Sequence, residues 1–202
     1  MKRIYITAVP LPSNFPLNAS VVQCMNIQLP EDDSYTFPIS RLIAATMQEG
    51  DEVLVVSVRQ TNESGDKNFN RLKKDLADRQ IPYELKDITT PESQQKDFLI
   101  KLFYQLSEAL EENCIIYADA TFGTKTYPLV LFPALHYAVK IKNCDVANII
   151  YQEQRRKDGK PISTSIYDIT SIFLMDEVVN TLGFSGAASA DKDALLKSLM
   201  QL

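Results

Sequence analysis

Cys114-Ile115-Ile116-Tyr117-Ala118-Asp119-Ala120-Thr121-Phe122-Gly123-Thr124-Lys125 runs from an apolar strand into a polar turn, and Thr126 to Ile141 behind it reads as an apolar helix. An apolar run of this length suits a strand covered on both faces. Gly123 supplies positive φ and lets backbone approach a ligand closely. Asp119, at the strand end, can accept the turn's backbone N–H groups or a ligand hydroxyl. Thr121, Thr124 and Thr126 offer hydroxyls, and Lys125 adds a full charge. The following helix would present unpaired N–H groups and a positive dipole end to an anion. The segment is neither a Walker A loop nor the dinucleotide pattern G-x-G-x-x-G. A capped turn without a ligand uses the same residue types.

Outward from this turn, strands and helices alternate. Lys2 to Val9 is a strand with Ile4, Ile6 and Ala8 on one face, and a Pro-rich polar loop, Pro10 to Pro16, follows it. Val21 to Leu29 reads as an edge-type strand. Thr36 can cap a helix that begins near Pro38 and ends at Gly50. Glu52 to Val58 is a near-continuous apolar run, hence a central parallel strand. Phe69, Leu72 and Leu76 mark an amphipathic helix. Tyr83 to Ile88 is a strand, Thr89 to Glu92 a helix start, and Phe98, Leu99, Leu102, Phe103, Leu106 and Leu110 form one helical stripe. Val146 to Tyr151 and Ser163 to Ile169 are strands around the polar, basic stretch Gln152 to Pro161, whose Asp158-Gly159 predicts a tight hairpin turn. Thr170 or Ser171 caps a helix from Ile172 to Leu182. Gly183 to Ala190 is a small-residue linker, and Asp191 to Leu202 a short terminal helix. The alternation predicts an α/β fold: a Rossmann-like, mostly parallel sheet flanked by helices, with a C-terminal β-hairpin.

Composition narrows the function. The 202 residues carry a formal net charge of −5, against the basic face that duplex nucleic-acid binding needs. A small anion in a local basic pocket fits better. The longest apolar run, Tyr127 to Val139, contains two prolines and a histidine and falls short of the roughly 18–20 residues of a membrane span. Cys24, Cys114 and Cys144 show no metal-ligand spacing and read as reduced, buried thiols of a cytoplasmic protein. A single histidine, His136, argues against a histidine metal site or a Ser-His-Asp triad. No metal and no cofactor is expected.

In open α/β sheets, ligands bind beyond the carboxyl ends of the parallel strands. That rule gathers the loop after the first strand, with Val9, Pro10, Ser13 and Asn14, and the loop holding Thr61 and Asn62. It also gathers Thr89 to Ser93, the turn Asp119, Ala120, Thr121, Phe122, Gly123, Thr124 and Lys125, and Gln152 to Arg156. In the last of these, Gln154 and Arg155 are the candidates nearest a ligand. Arg155 to Lys160 reads either as a solvated hairpin tip or as an arm closing over the ligand.

The pattern D-x-T-x-G-x-K of Asp119, Thr121, Gly123 and Lys125, after an apolar strand and before a very apolar helix, resembles the signature of CARF domains. These are the Rossmann-like sensors of type III CRISPR antiviral defence. The polar loop Pro10 to Phe15 is similar to the family's other landmark, and the resemblance covers roughly residues 1 to 182. Family members often carry a histidine and a basic residue where this chain has Phe122 and Thr124. The resemblance implies a homodimer whose two pockets join across a two-fold axis. It implies a cyclic oligoadenylate ligand, most often the tetramer and sometimes the hexamer. The apolar helix agrees, since one face can pack on the sheet and the other needs a cover, a partner chain or another helix of this chain. A charge at Leu131 or Leu135 is expected to part such a pair.

Three functions follow. One is a sensor that switches an attached or partner effector; no segment after residue 182 is long enough to be that effector. The second is a metal-independent ring nuclease that uses Lys125, Thr124 and Ser13 to stabilise in-line attack by a ribose 2′-hydroxyl. The third is an unrelated nucleotide-binding Rossmann-like protein.

Overall fold

The computed structural model describes residues 1–11, 22–31, 35–158 and 160–199. The first strand, β1 (Lys2–Ala8), is buried from Arg3 onward, and β3 (Glu52–Gln60) is buried from Val53 to Val58, as an apolar run covered on both faces should be. Between them lie β2 (Val22–Cys24) and α1 (Pro38–Thr46). The chain continues through α2 (Glu63–Asp78), β4 (Glu84–Thr90), α3 (Lys96–Ala109), β5 (Ile115–Asp119), α4 (Tyr127–Ile141), β6 (Asp145–Lys157) and β7 (Lys160–Asp168).

The seven strands of the described residues form one sheet in the order β2-β7-β6-β5-β1-β3-β4. β6, β5, β1, β3 and β4 run parallel, β7 pairs antiparallel with β6, and β2 pairs parallel with β7. This is the expected α/β, Rossmann-like sheet with its C-terminal hairpin. Tyr5, Val53, Val55 and Tyr117 pack with residues of α1 and α2 on one face. α3 and α4 pack together over the other, where alternation turns Ile4, Ile6 and Ala8. Met1–Asp168, the sheet with α1 to α4, is one compact unit. Ile169–Leu202 is a second, holding α5 (Thr170–Phe184) and α6 (Ser189–Leu199). Among the described residues, no helix is long and apolar enough to cross a membrane.

Several boundaries differ from expectation. The Val21 to Leu29 strand shrinks to three residues. It stays at the sheet edge, where Asn26 continues the pairing with its side-chain amide, donating to Asp168 O and accepting from Asp168 N, both at 2.8 Å. Thr36 does not cap α1. The carboxylate of Asp75 in α2 accepts from Thr36 N and Phe37 N at 3.2 Å each and holds the helix start from outside. β4 extends through Thr90, so α3 begins at Lys96 rather than after Thr89.

The largest difference is β6. Its pairing with β5 ends at Ile150, yet it runs on to Lys157, paired with β7 alone. Gln154 and Arg155 therefore sit on a β6–β7 ribbon, flanked by β2 as far as Gln154, not in a loop. The ribbon runs past the carboxyl edge of β5 for roughly 20 Å at strand rise. Asp158, at φ 50, starts the turn at its tip.

In α4, Leu131 and Leu135 are fully buried, while Leu129 is 72% exposed. A charge at Leu131 or Leu135 would break the core, not a chain–chain contact. α3 covers part of α4 from within the same chain, with Phe103 edge-on to Tyr137 at 6.3 Å.

Candidate functional site

The strand order reverses direction beside β1. The connections from β1 through β3 to β4 step one way, and α3 then carries the chain back to β5 on the other side of β1. The carboxyl ends of β1 and β5 therefore flank the switch point, where open α/β sheets place their ligands. Thr7 of β1 pairs in register with Asp119 of β5, and Val9 is anchored by its N–H to Val58 O at 3.0 Å. Residues 112 positions apart in sequence thus meet at one edge.

Asp119 is completely buried. Its carboxylate accepts from Thr121 N at 2.8 Å and Thr7 Oγ1 at 3.1 Å. Desolvation outweighs these bonds and pushes its pKa up to about 6. Ala120 N donates to Ile150 O at 2.9 Å, and the Thr121 hydroxyl accepts from Gln152 N at 2.8 Å. These bonds fasten the turn to the base of the β6–β7 ribbon. Thr121 is thereby engaged in holding the turn.

Gly123 has φ 97, and a Cβ there would lie 2.9 Å from the Ala8 side chain and 3.2 Å from that of Tyr127. Both the backbone conformation and the contact with β1 call for glycine. Beside it Phe122 turns inward, edge-on to Phe37, the residue just before α1, at 6.4 Å. Its ring belongs to the core, so only its backbone faces the edge of the sheet. Past Gly123, Thr124 Oγ1 and Thr126 Oγ1 are 2.9 Å apart, and Thr126 donates to Gln94 in the loop before α3. Lys125 is exposed.

The entrance to α4 offers fewer helical donors than the sequence suggests. Tyr127 N is bonded to Thr124 O at 3.0 Å, and Pro128 has no N–H. The free donors lie one step earlier: among the described residues, the backbone N–H groups of Gly123, Thr124 and Lys125 have no partner. Such N–H groups beside a lysine can together receive an anion.

Next to the turn, on the α3–α4 side, is a small cavity of about 30 Å³. Ala8, Val58, Phe98 and Leu102 give it apolar walls, Gln60 and Gln94 polar ones, and Gly123 and Tyr127 border it. The Tyr127 hydroxyl is buried with no hydrogen-bond partner among the described residues. Burial, with a contribution from the Asp119 charge, pushes its pKa well up. An orphaned phenol against a cavity is uncommon, because a buried hydroxyl without a partner costs roughly 1–3 kcal/mol.

The remaining expected residues divide. Pro10 is held at the carboxyl edge by Asn68 of α2, which donates to Pro10 O at 2.6 Å and is fully buried. Ser13 and Asn14 lie outside the described residues. Asn62 caps α2, accepting from Gly65 N at 2.8 Å, and donates to Glu92 at 2.7 Å. Thr61 is tied by its N–H to Thr90 O at 2.9 Å. Both therefore brace the ends of β3 and β4, beyond β1 from the Asp119 turn. Gln154 accepts from Arg156 at 2.8 Å, and Arg155 lies 3.6 Å from Glu153, on the ribbon above Gln152.

Sequence reasoning passed over Asn68, Gln94 and Tyr127. Asn68 carried a signal, being a polar residue one turn before Leu72 on the buried stripe of α2. Gln94 and Tyr127 carried none, since their roles arise from loops that meet only in the fold. No family model matches the chain, and no curated protein matches it in sequence.

Proposed function

We propose that this chain is a CARF-type sensor that binds a cyclic oligoadenylate, the tetramer or hexamer, across a pair of identical chains and switches an attached or partner effector in antiviral defence. The observation that carries this reading is the run of N–H groups at Gly123, Thr124 and Lys125 that have no partner among the described residues, with the Lys125 charge, at the topological switch point. A phosphodiester oxygen fits such donors, and a symmetric ring presents one set of phosphates to each chain. The acidic net charge does not oppose this, because the demand for positive charge is local. The ribbon that carries Gln154 and Arg155 stands beside the turn and could supply further polar contacts to a ring.

Calorimetric titration with cyclic tri-, tetra- and hexa-adenylate tests the reading, each mixture then being run on a column to detect linear products. One intact ring bound per two chains is the expected result. Linear fragments would make the protein a ring nuclease. No binding of any ring would leave an unrelated nucleotide-binding Rossmann-like protein as the better reading.

A further inference from the structure

At the opposite edge of the sheet, two turns repeat one device. Asn113 and Asn143 both take the left-handed conformation, φ 55 and 53. Each is followed by a cysteine, and the strands β5 and β6 begin directly after Cys114 and Cys144. The turns are fastened to each other. Asn113 N donates to Lys142 O at 2.9 Å, Asp145 N to Cys114 O at 3.0 Å, and Asn143 Nδ2 to Asn113 Oδ1 at 2.7 Å.

Pairing of β5 with β6 begins at Ile115 and Asp145, so Cys114 and Cys144 are the cross-strand neighbours one step earlier. Neighbouring strands lie about 4.8 Å apart, within the range of roughly 4.4–6.8 Å between Cα atoms that a disulfide spans. The two Sγ atoms are 3.2 Å apart, and both lie near Glu111 O, at 3.3 and 3.0 Å. Both thiols are free.

We propose that Cys114 and Cys144 are a redox site that closes to a reversible disulfide when the protein meets a small-molecule disulfide. In the first step one thiol loses its proton and attacks a sulfur of the small disulfide. A mixed disulfide forms and one small thiol leaves. In the second step the other cysteine attacks the protein sulfur of that mixed disulfide, and the second small thiol leaves. The protein gives up two electrons and two protons, and the small disulfide gains both.

The side chains are 2% and 3% exposed, and burial pushes the Cys114 thiol up to about 12. The reactive thiolate therefore forms when the exposed turn residues 111–113 open, which makes the site a slow latch rather than a fast peroxide sensor. The loop it closes holds β5, the Asp119 turn and α4. The bond would thus fix both ends of the segment that carries the candidate ligand site without touching the ligand edge.

The test incubates the intact protein with oxidised glutathione, then alkylates it in denaturant and maps the peptides. The expected product joins the Cys114 and Cys144 peptides, lighter by two hydrogens, while the half-buried Cys24 is alkylated or carries glutathione. The melting temperature should rise by roughly 10 °C, as expected for a loop of this length in a domain of this size. Dithiothreitol should reverse the rise, and Cys144→Ser should abolish it. Recovery of Cys114 and Cys144 as separate alkylated residues, under conditions that modify Cys24, overturns the proposal. So does a crosslink that forms only in denaturant. Should Cys144→Ser fail to fold, the peptide map of the unaltered protein decides alone.

Discussion

The two edges of the central sheet treat their polar groups differently. At the amino edge every buried charge has a partner. Arg3 donates to Asp51 and to Tyr117 Oη at 2.5 Å, Asp51 also accepts from Gln48 N at 2.8 Å, and the Tyr5 hydroxyl is 2.9 Å from that of Thr46. Tyr5 and Tyr117 stack at 4.8 Å beneath them. At the carboxyl edge, donors remain unspent among the described residues: the Tyr127 phenol and the N–H groups of Gly123, Thr124 and Lys125. Folded proteins satisfy nearly all their buried polar groups, and the Tyr127 phenol is a buried exception; the turn N–H groups belong to half-buried or exposed residues, open to water or a ligand. The amino edge is held by paired charges, and the carboxyl edge leaves donors unpaired among the described residues.

The comparison breaks most severely at Gly123. Gly123→Val adds a β-branched side chain where φ is 97 and the first added atom meets Ala8 at 2.9 Å. Strain and overpacking together should cost roughly 3 kcal/mol of unfolding free energy. Denaturant titration should show the loss, and ligand binding should fail with it. Unchanged stability would mean that the turn is not locked against β1.

Lys125→Ala separates site from scaffold. Lys125 is exposed and makes no hydrogen bond or ion pair among the described residues. Its removal should therefore change stability by less than about 0.5 kcal/mol. A charge-assisted phosphate contact is worth roughly 1.5–3 kcal/mol, so affinity for the cyclic oligoadenylate should fall at least tenfold in calorimetry. Full affinity in the variant would remove Lys125 from the site.

The carboxyl edge was also the more legible of the two in the sequence. The apolar runs of β1, β3 and β5 declared central strands, and the rule that ligands gather at carboxyl ends then brought Val9, Pro10 and the Asp119 turn together. What hydrophobic pattern could not show was structure held by pairing alone. Gln152 to Lys157 is polar and basic, yet it stays a strand because β7 lies antiparallel beside it and Asp158 turns the chain. Phe122 read as part of a ligand turn because its neighbours are polar. Its ring turns inward because Phe37, just before a distant helix, offers a packing surface. The amino edge was almost silent. The partners of Arg3 lie 48 and 114 residues away, and no local spacing announces such contacts. The repeated Asn-Cys at 113–114 and 143–144 was the one local sign, and it gains meaning only once β5 and β6 are neighbours.

Acid should move the two edges in opposite directions. At Asp51, desolvation raises the pKa, but hydrogen bonds from Gln48 N, from Arg3 and from the amino terminus outweigh it, so the carboxyl is held below its ordinary value of 3.8. Its contribution to stability is present above pH 3.8 and is lost as pH falls through the folded value. Asp119 has the opposite sign. Its folded pKa is raised from 3.8 to about 6, so the fold binds its proton more tightly than the unfolded chain does. Its contribution is fully present below pH 3.8 and is lost as pH rises through about 6. The stability of the protein relative to Asp119→Asn should therefore rise on going from pH 7.5 to pH 4.5. The corresponding difference for Asp51→Asn should change little over that span. The same protonation removes a negative charge beside the candidate turn, so the proposed cyclic oligoadenylate ligand should bind several-fold more tightly at pH 5.5 than at pH 7.5, and Asp119→Asn should flatten that dependence. A pH-independent affinity in the unaltered protein would show that the Asp119 charge does not reach the ligand, and would leave the carboxylate with only its work of holding Thr121 and Thr7 in the turn.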